Sequence, residues 1–229
     1  IPSQNIGDGI RRSGVFRELV GVPFPNEPEI NTTLKALRRS ATMFKDNNCL
    51  GYREKKEAGA LGDYVWTSYE KSYDDIMKIG RGLTAVLGLR STSTGEGQFR
   101  VGIYTANRPE ALEGLLAVWS RRGVAVPLYD SLVPNAVTFL VDHADLTTVL
   151  VERTKLQNVI KGKGTKGTLK NVVLFEEPTE AERAAVREAG LQLYSLADIR
   201  TGGEAAAADE VEATPDDWAY VMYTSGTTG

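Results

Sequence analysis

Thiols, imidazoles and long apolar runs are all scarce in this sequence, whose 229 residues hold one cysteine and one histidine. A lone Cys49 can close no internal disulfide and has no second thiol with which to share a metal ion. It suits a reducing compartment and reads as a small, half-buried apolar residue. His143 follows an apolar helical face beside Asp142 and Asp145, which reads as a partly exposed structural imidazole. No triad or metal cluster can be built around it. The longest purely apolar stretches, such as Leu115-Leu116-Ala117-Val118-Trp119, fall far short of the roughly 20 residues needed to cross a bilayer as a helix. Positive charge is not in excess: 27 Lys and Arg stand against 30 Asp and Glu. That balance offers no polycationic surface for a nucleic-acid backbone or an anionic membrane, so no nucleic-acid partner is expected.

What the sequence does have is enough apolar material for a core. At 41% hydrophobic and 25% charged residues it could form one large or two small domains. Up to about Lys45, prolines at 2, 23, 25 and 28 and the lack of a sustained period predict irregular structure. Beyond it, Tyr64 to Thr67 reads as a short strand, and Ser68 can cap a helix carrying Tyr69, Tyr73, Ile76, Leu83 and Leu87 at helical spacing through Leu89. Strands are then expected at Phe99–Tyr104, Val124–Leu128, Thr148–Val151, Asn171–Phe175 and Leu191–Leu196. Helices alternate with them: one capped by Asn107 with Pro109 near its first position and running to about Arg121, one opened by Pro134, and one begun by the capping box Thr179-Glu180-Ala181-Glu182. Such alternation implies right-handed crossovers and a doubly wound, mainly parallel α/β sheet with helices on both faces. Gly- and Ala-rich residues between Thr201 and Thr214 read as a mobile surface connection. Lys161 to Gly167 reads as a solvated basic turn, because it completes no Gly-x4-Gly-Lys-Ser/Thr pattern.

Chemistry shows at the end of the sequence. The apolar run Trp218-Ala219-Tyr220-Val221-Met222-Tyr223, read as a buried strand, leads into Thr224-Ser225-Gly226-Thr227-Thr228-Gly229. Glycines let a loop adopt positive φ and bring backbone N–H groups close to a polyanion, while Thr and Ser hydroxyls add donors. A flexible turn is the competing reading of these six residues. The preceding strand favours the nucleotide reading, since ligands of α/β sheets sit at the carboxyl ends of strands.

Tyr-Thr-Ser-Gly-Thr-Thr-Gly at 223–229 resembles the signature loop of the adenylate-forming superfamily. Cys49-Leu50-Gly51-Tyr52-Arg53, Trp66-Thr67-Ser68-Tyr69, Asn107-Arg108-Pro109-Glu110 and Pro127-Leu128-Tyr129-Asp130 are similar to segments of its long-chain acyl-CoA synthetase branch. The last two also read as a helix start and a strand end. The resemblance implies ATP-dependent conversion of long-chain fatty acids to acyl-CoA through an acyl-adenylate, with ATP, Mg2+ and CoA required by the complete enzyme. It implies that Thr224, Ser225, Gly226, Thr227, Thr228 and Gly229 bind ATP phosphates. Residues 1–48 are expected to form an irregular wrapping segment, and 49–229 the N-terminal α/β subdomain of an adenylation domain cut within its phosphate-binding loop. The family's later motifs, among them a glutamate for magnesium and a catalytic lysine, are absent, so no complete catalytic set or metal site is expected and the fragment should be inactive. An intracellular location, cytoplasmic or peripheral on an organelle membrane, would fit a lipid substrate. The alternatives are a non-catalytic nucleotide- or protein-binding α/β module and an adenylate-forming ligase for another carboxylic acid.

Overall fold

A computed structural model describes residues 4–5, 11–12, 24–55, 60–129, 134–207 and 211–224. β1 (Gln4–Asn5) pairs antiparallel with β2 (Arg11–Arg12), and the centre is a five-stranded, wholly parallel sheet in the order β6-β5-β7-β8-β9. The strands are β5 (Arg100–Tyr104), β6 (Val124–Leu128), β7 (Thr148–Val151), β8 (Asn171–Leu174) and β9 (Gln192–Ser195). β7 and β8 are buried at every position, as expected of strands covered on both faces.

The helices fall into two layers because alternate strand residues point to opposite sides. On one side, α4 (Pro134–His143), α5 (Leu156–Lys161) and α6 (Glu180–Glu188) cover Tyr104, Val126, Val149, Val151 and Val172. On the other, α2 (Tyr69–Ala85), α3 (Pro109–Ser120) and α7 (Leu196–Ala205) cover Val101, Ile103, Ala125, Leu150 and Val173. The doubly wound α/β architecture expected from the sequence is thus present. Caps set several boundaries: Ser68 Oγ accepts from Lys71 N at 3.2 Å, and Thr179 and Glu182 form the reciprocal capping box.

Four local expectations need correction. α2 ends at Ala85 and not at Leu89; Gly88, at φ 70°, turns the chain, and Leu89 N bonds back to Leu83 O at 3.2 Å. Leu89 therefore stays buried and mimics a continued helix. The stretch before Lys45 contains α1 (Thr33–Met43), capped by Thr32. Only Leu34 and Ala41 of it are buried, too few to give a visible period. Residues 201–205 belong to α7 and are not a loop. Their glycines permit close approach to α2: a Cβ on Gly203 would lie 1.8 Å from Lys78 O. Finally, Trp66 and Tyr64 lie on β4 (Leu61–Ser68), which forms an antiparallel hairpin with β3 (Asn48–Lys55), a strand the sequence reading omitted. Among the described residues no helix is long and apolar enough to cross a membrane.

Candidate functional site: the carboxyl end of the sheet

β5 is followed by α3 on one face and β6 by α4 on the other, so a crevice opens where their chains part. It is a cleft of about 740 Å3 with Ile103, Asn107, Leu112, Leu115, Pro127 and Tyr129 in its walls. The turn that leaves β5 is fixed by Glu152, whose carboxylate accepts from Thr105 Oγ1 at 2.9 Å and from Ala106 N at 3.1 Å. Partial burial would raise this carboxyl, but hydrogen bonds from Thr154, Thr105 and Ala106 hold it below its ordinary value. The N-cap of α3 is Arg108 and not Asn107, and Pro109 occupies the first turn. Arg108 pairs with Glu110 and Glu176 and lies 5.0 Å from the Phe175 ring centre. The Asn107–Glu110 segment thus serves the start of the helix, one residue later than expected.

Along the outer edge of β6 runs the segment that precedes the Ser-Gly-Thr-Thr-Gly sequence. Asp217 anchors its beginning: Arg122 Nε and Nη2 donate to its two oxygens at 2.9 and 3.0 Å, and Thr94 Oγ1 adds a third bond at 3.0 Å. The guanidinium of Arg122 holds this carboxyl down at about 2, with burial opposing. Arg122 itself sits at φ 59°, a left-handed conformation that a non-glycine residue adopts at a cost. Ser91 Oγ and Gln98 Nε2 bond its carbonyl at 2.8 and 2.7 Å. Gln98 also clamps Trp218, accepting from its N–H at 2.7 Å and donating to its carbonyl at 3.1 Å.

Next comes the one ladder step, in which Ala125 N donates to Ala219 O and Val221 N to Ala125 O, both at 3.0 Å. The following residue of β6 that faces the same edge is Pro127, which has no N–H to give. Side chains take over there. Tyr129 Oη donates to Tyr223 O at 2.8 Å, and His143 Nδ1 lies 2.7 Å from Tyr223 Oη. The imidazole stacks on Phe139 at 5.2 Å, and the Tyr223 ring meets both edge-on.

The expected buried strand at 218–223 is therefore corrected to an extended edge segment with a single bridge. Trp218, Tyr220 and Met222 are 43%, 40% and 53% exposed on one face of the segment, while Val221 and Tyr223, which alternate with them, pack on the α4 face of the core. The segment runs parallel to β6, so it delivers Thr224, which is exposed, to the carboxyl end of the sheet. Ser225, Gly226, Thr227, Thr228 and Gly229 lie outside the described residues.

The Lys161–Gly167 turn is occupied by the protein itself. Asp142 accepts from Thr165 N at 2.9 Å and Lys166 N at 3.1 Å, with Gly164 at φ 85° shaping the turn. Cys49 is half-buried, and burial pushes its thiol up. His143 is exposed, as read from sequence, but its bond to Tyr223 was not foreseen. Neither were the roles of Gln98, Arg122 and Asp217, which depend on side chains far apart in sequence. Among the described residues no three His, Cys, Asp or Glu side chains are grouped to hold a metal ion.

A parallel α/β sheet whose edge segment reaches the carboxyl end just before a Gly- and Thr-rich stretch of sequence is the frame of many nucleotide sites, and the family pattern decides among them. The pattern of AMP-binding enzymes matches residues 37–229. The chain belongs to the AMP-binding enzyme family. Within that adenylate-forming group it is similar to long chain acyl-CoA synthetase 1 of Arabidopsis thaliana, at 32% identity over 94% of this chain and 32% of that protein. It is also similar to long-chain-fatty-acid–CoA ligase 6 of Mus musculus, at 32% identity over 88% of this chain and 28% of that protein. The chain thus spans about a third of the length of these relatives. In fold, it matches the adenylation domain of a carboxylate reductase from Mycobacterium chelonae with a TM-score of 0.66 at 20% identity, over 86% of this chain and 33% of that one. An anthranilate CoA ligase solved with anthranoyl-AMP gives 0.66 at 16% identity, over 86% and 32%. The AMP-binding enzyme fold is accordingly the one expected from the signature loop.

Proposed function

We propose that residues 49–229 form the phosphate-gripping part of an enzyme that activates long-chain fatty acids. A carboxylate oxygen attacks the α-phosphorus of ATP, the bond to pyrophosphate breaks, and an acyl-adenylate results. The thiolate of CoA then attacks the acyl carbon and AMP leaves. Two steps are needed because a carboxylate is a poor electrophile, whereas AMP departs readily from a mixed anhydride. The observation that carries this reading is the delivery of Thr224 to the carboxyl end of a parallel sheet, with Ser-Gly-Thr-Thr-Gly next in sequence. Resemblance to long-chain synthetases supports the choice of acid.

In this proposal Thr224, Ser225, Thr227 and Thr228 donate to the β- and γ-phosphates, and Gly226 and Gly229 shape the loop. Their contribution is orientation and charge stabilisation. Magnesium accompanying ATP would be held by the nucleotide and by groups outside the described residues. The segment before residue 49, α1 included, is proposed to lie upon the α/β unit; Arg38 Nε, for example, donates to Tyr73 Oη at 3.1 Å. An intracellular setting with peripheral attachment to a membrane suits an acyl substrate that partitions into lipid.

The test is acid-dependent ATP–pyrophosphate exchange by the protein comprising residues 1–229 and whatever its gene encodes after Gly229. Exchange should rise from acetate to oleate and fall at least 100-fold in the Thr227→Val, Thr228→Val double variant. Exchange with aromatic acids alone would overturn the substrate assignment. No exchange with any acid would overturn the enzyme reading in favour of a binding module. The 229-residue chain by itself should give none.

A further inference from the structure

We propose that Tyr129, Phe139 and His143 are positioning residues that set where the phosphate loop leaves the sheet, acting through Tyr223. The proposal rests on the reading of residues 224–229 as the phosphate loop, but its geometry is independent of the acid used.

Three observations converge. First, the main-chain ladder that binds the segment to β6 cannot continue past Pro127, which lacks an N–H. The last two residues before the loop therefore need another attachment. Second, Tyr223 receives one at each end: Tyr129 Oη donates to its carbonyl at 2.8 Å, and His143 Nδ1 lies 2.7 Å from its hydroxyl. The carbonyl belongs to the peptide unit that joins Tyr223 to Thr224, so this bond fixes the plane in which the loop begins. Third, the imidazole is itself held, stacked at 26° on Phe139. Phe139 and His143 both lie on α4 and are spaced i, i+4, which puts them on one face of that helix.

The partners come from the residue that follows β6 and from α4. A shift of α4 against β6 would therefore move Tyr223 and reorient Thr224. None of the three residues needs to touch nucleotide. Their role is to limit the directions the loop can take, so their loss should weaken the grip on ATP more than it slows the chemistry of bound ATP.

The experiment uses two readouts. In acid-dependent exchange by the complete protein, Tyr129→Phe and His143→Ala should each raise the KM for ATP about tenfold. The kcat should change less than threefold and the KM for the acid should stay constant. His143→Asn, whose amide occupies nearly the place of Nδ1, should bring the KM for ATP back to within about threefold of the parent. The second readout is hydrogen–deuterium exchange on the 229-residue chain, which does not depend on turnover. Amides of Val221 to Thr224 should exchange faster in Tyr129→Phe and His143→Ala, and near the parental rate in His143→Asn, with β7 unaffected in all three. Unchanged KM and unchanged amide exchange in the first two variants would overturn the proposal. So would equal damage from Asn and Ala at 143, which would mean lost packing rather than a lost hydrogen bond. If the parent shows no acid-dependent exchange, the functional reading fails and the deuterium readout alone decides the positioning role.

Discussion

β7 and the segment 218–224 are both extended, both run parallel to a neighbour, and are held by different means. β7 is bonded to β5 and β8 along its length, and its four side chains are buried. The edge segment has one bridge to β6 and otherwise hangs on Asp217, Trp218, Ala219 and Tyr223, each gripped by a side chain. An interior strand is thus a cooperative part of the fold, whereas the segment carrying the loop is held by separable contacts. Local stability in proteins varies in this way, and moving functional elements tend to come from its lower end.

The sharpest way to break this comparison is to strike both regions. Leu150→Ala, in β7, removes a fully buried side chain from under α3. It should cost about 2–5 kcal/mol of global stability in urea denaturation. Trp119→Phe deletes the 2.7 Å bond to Ala219 O and keeps most of the ring. It should cost about 1 kcal/mol or less globally, with faster amide exchange confined to 219–221. If the tryptophan change unfolds the chain as readily as the leucine change, the segment belongs to the cooperative core and the distinction fails.

Two carboxyl groups sharpen the contrast through pH, with opposite signs. Glu113 is on α3, inside the fold; burial pushes it up to about 7, helped by Asp75 and opposed by Arg200. The folded state then binds a proton that the unfolded chain releases near 4.5, so stability should fall as pH rises from about 4.5 to 7. Replacing Glu113 by Gln should flatten that slope in melting curves. Asp217 is on the edge segment and is held at about 2 by Arg122. Its contribution is complete above the ordinary value of 3.8 and is lost as pH falls towards 2. The effect should be the smaller of the two and should appear in the exchange of amides 218–221. An Asp217→Asn protein whose exchange keeps the parental acid response would show that the Arg122 pair does not dock the segment.

The sheet was legible in sequence because buried parallel strands are short apolar runs, and Thr148–Val151 and Asn171–Leu174 are of that kind. The capping box at Thr179 was legible because it is a purely local device. α7 was not, since Gly202 and Gly203 look like loop residues until α2 is seen to press against them. β3 was hidden for a related reason: Gly51 breaks its pattern, yet a Cβ there would lie 2.5 Å from the Trp66 ring. The family was recognised from the letters of residues 223–229. What holds the segment leading into them, from Gln98 and Arg122 to Tyr129 and His143, joins residues about 80 to 120 apart in sequence, and no local pattern announces such pairs.

Pro127 has a longer reach than its single missing donor. A main-chain ladder is common to nearly all amino acids and is hard to alter by one substitution. A tyrosine hydroxyl or an imidazole can be gained or lost in one codon. By ending the ladder early, the proline leaves the placement of Tyr223 to individual side chains, so the end of the edge segment can be re-aimed by single substitutions while the sheet is inherited unchanged.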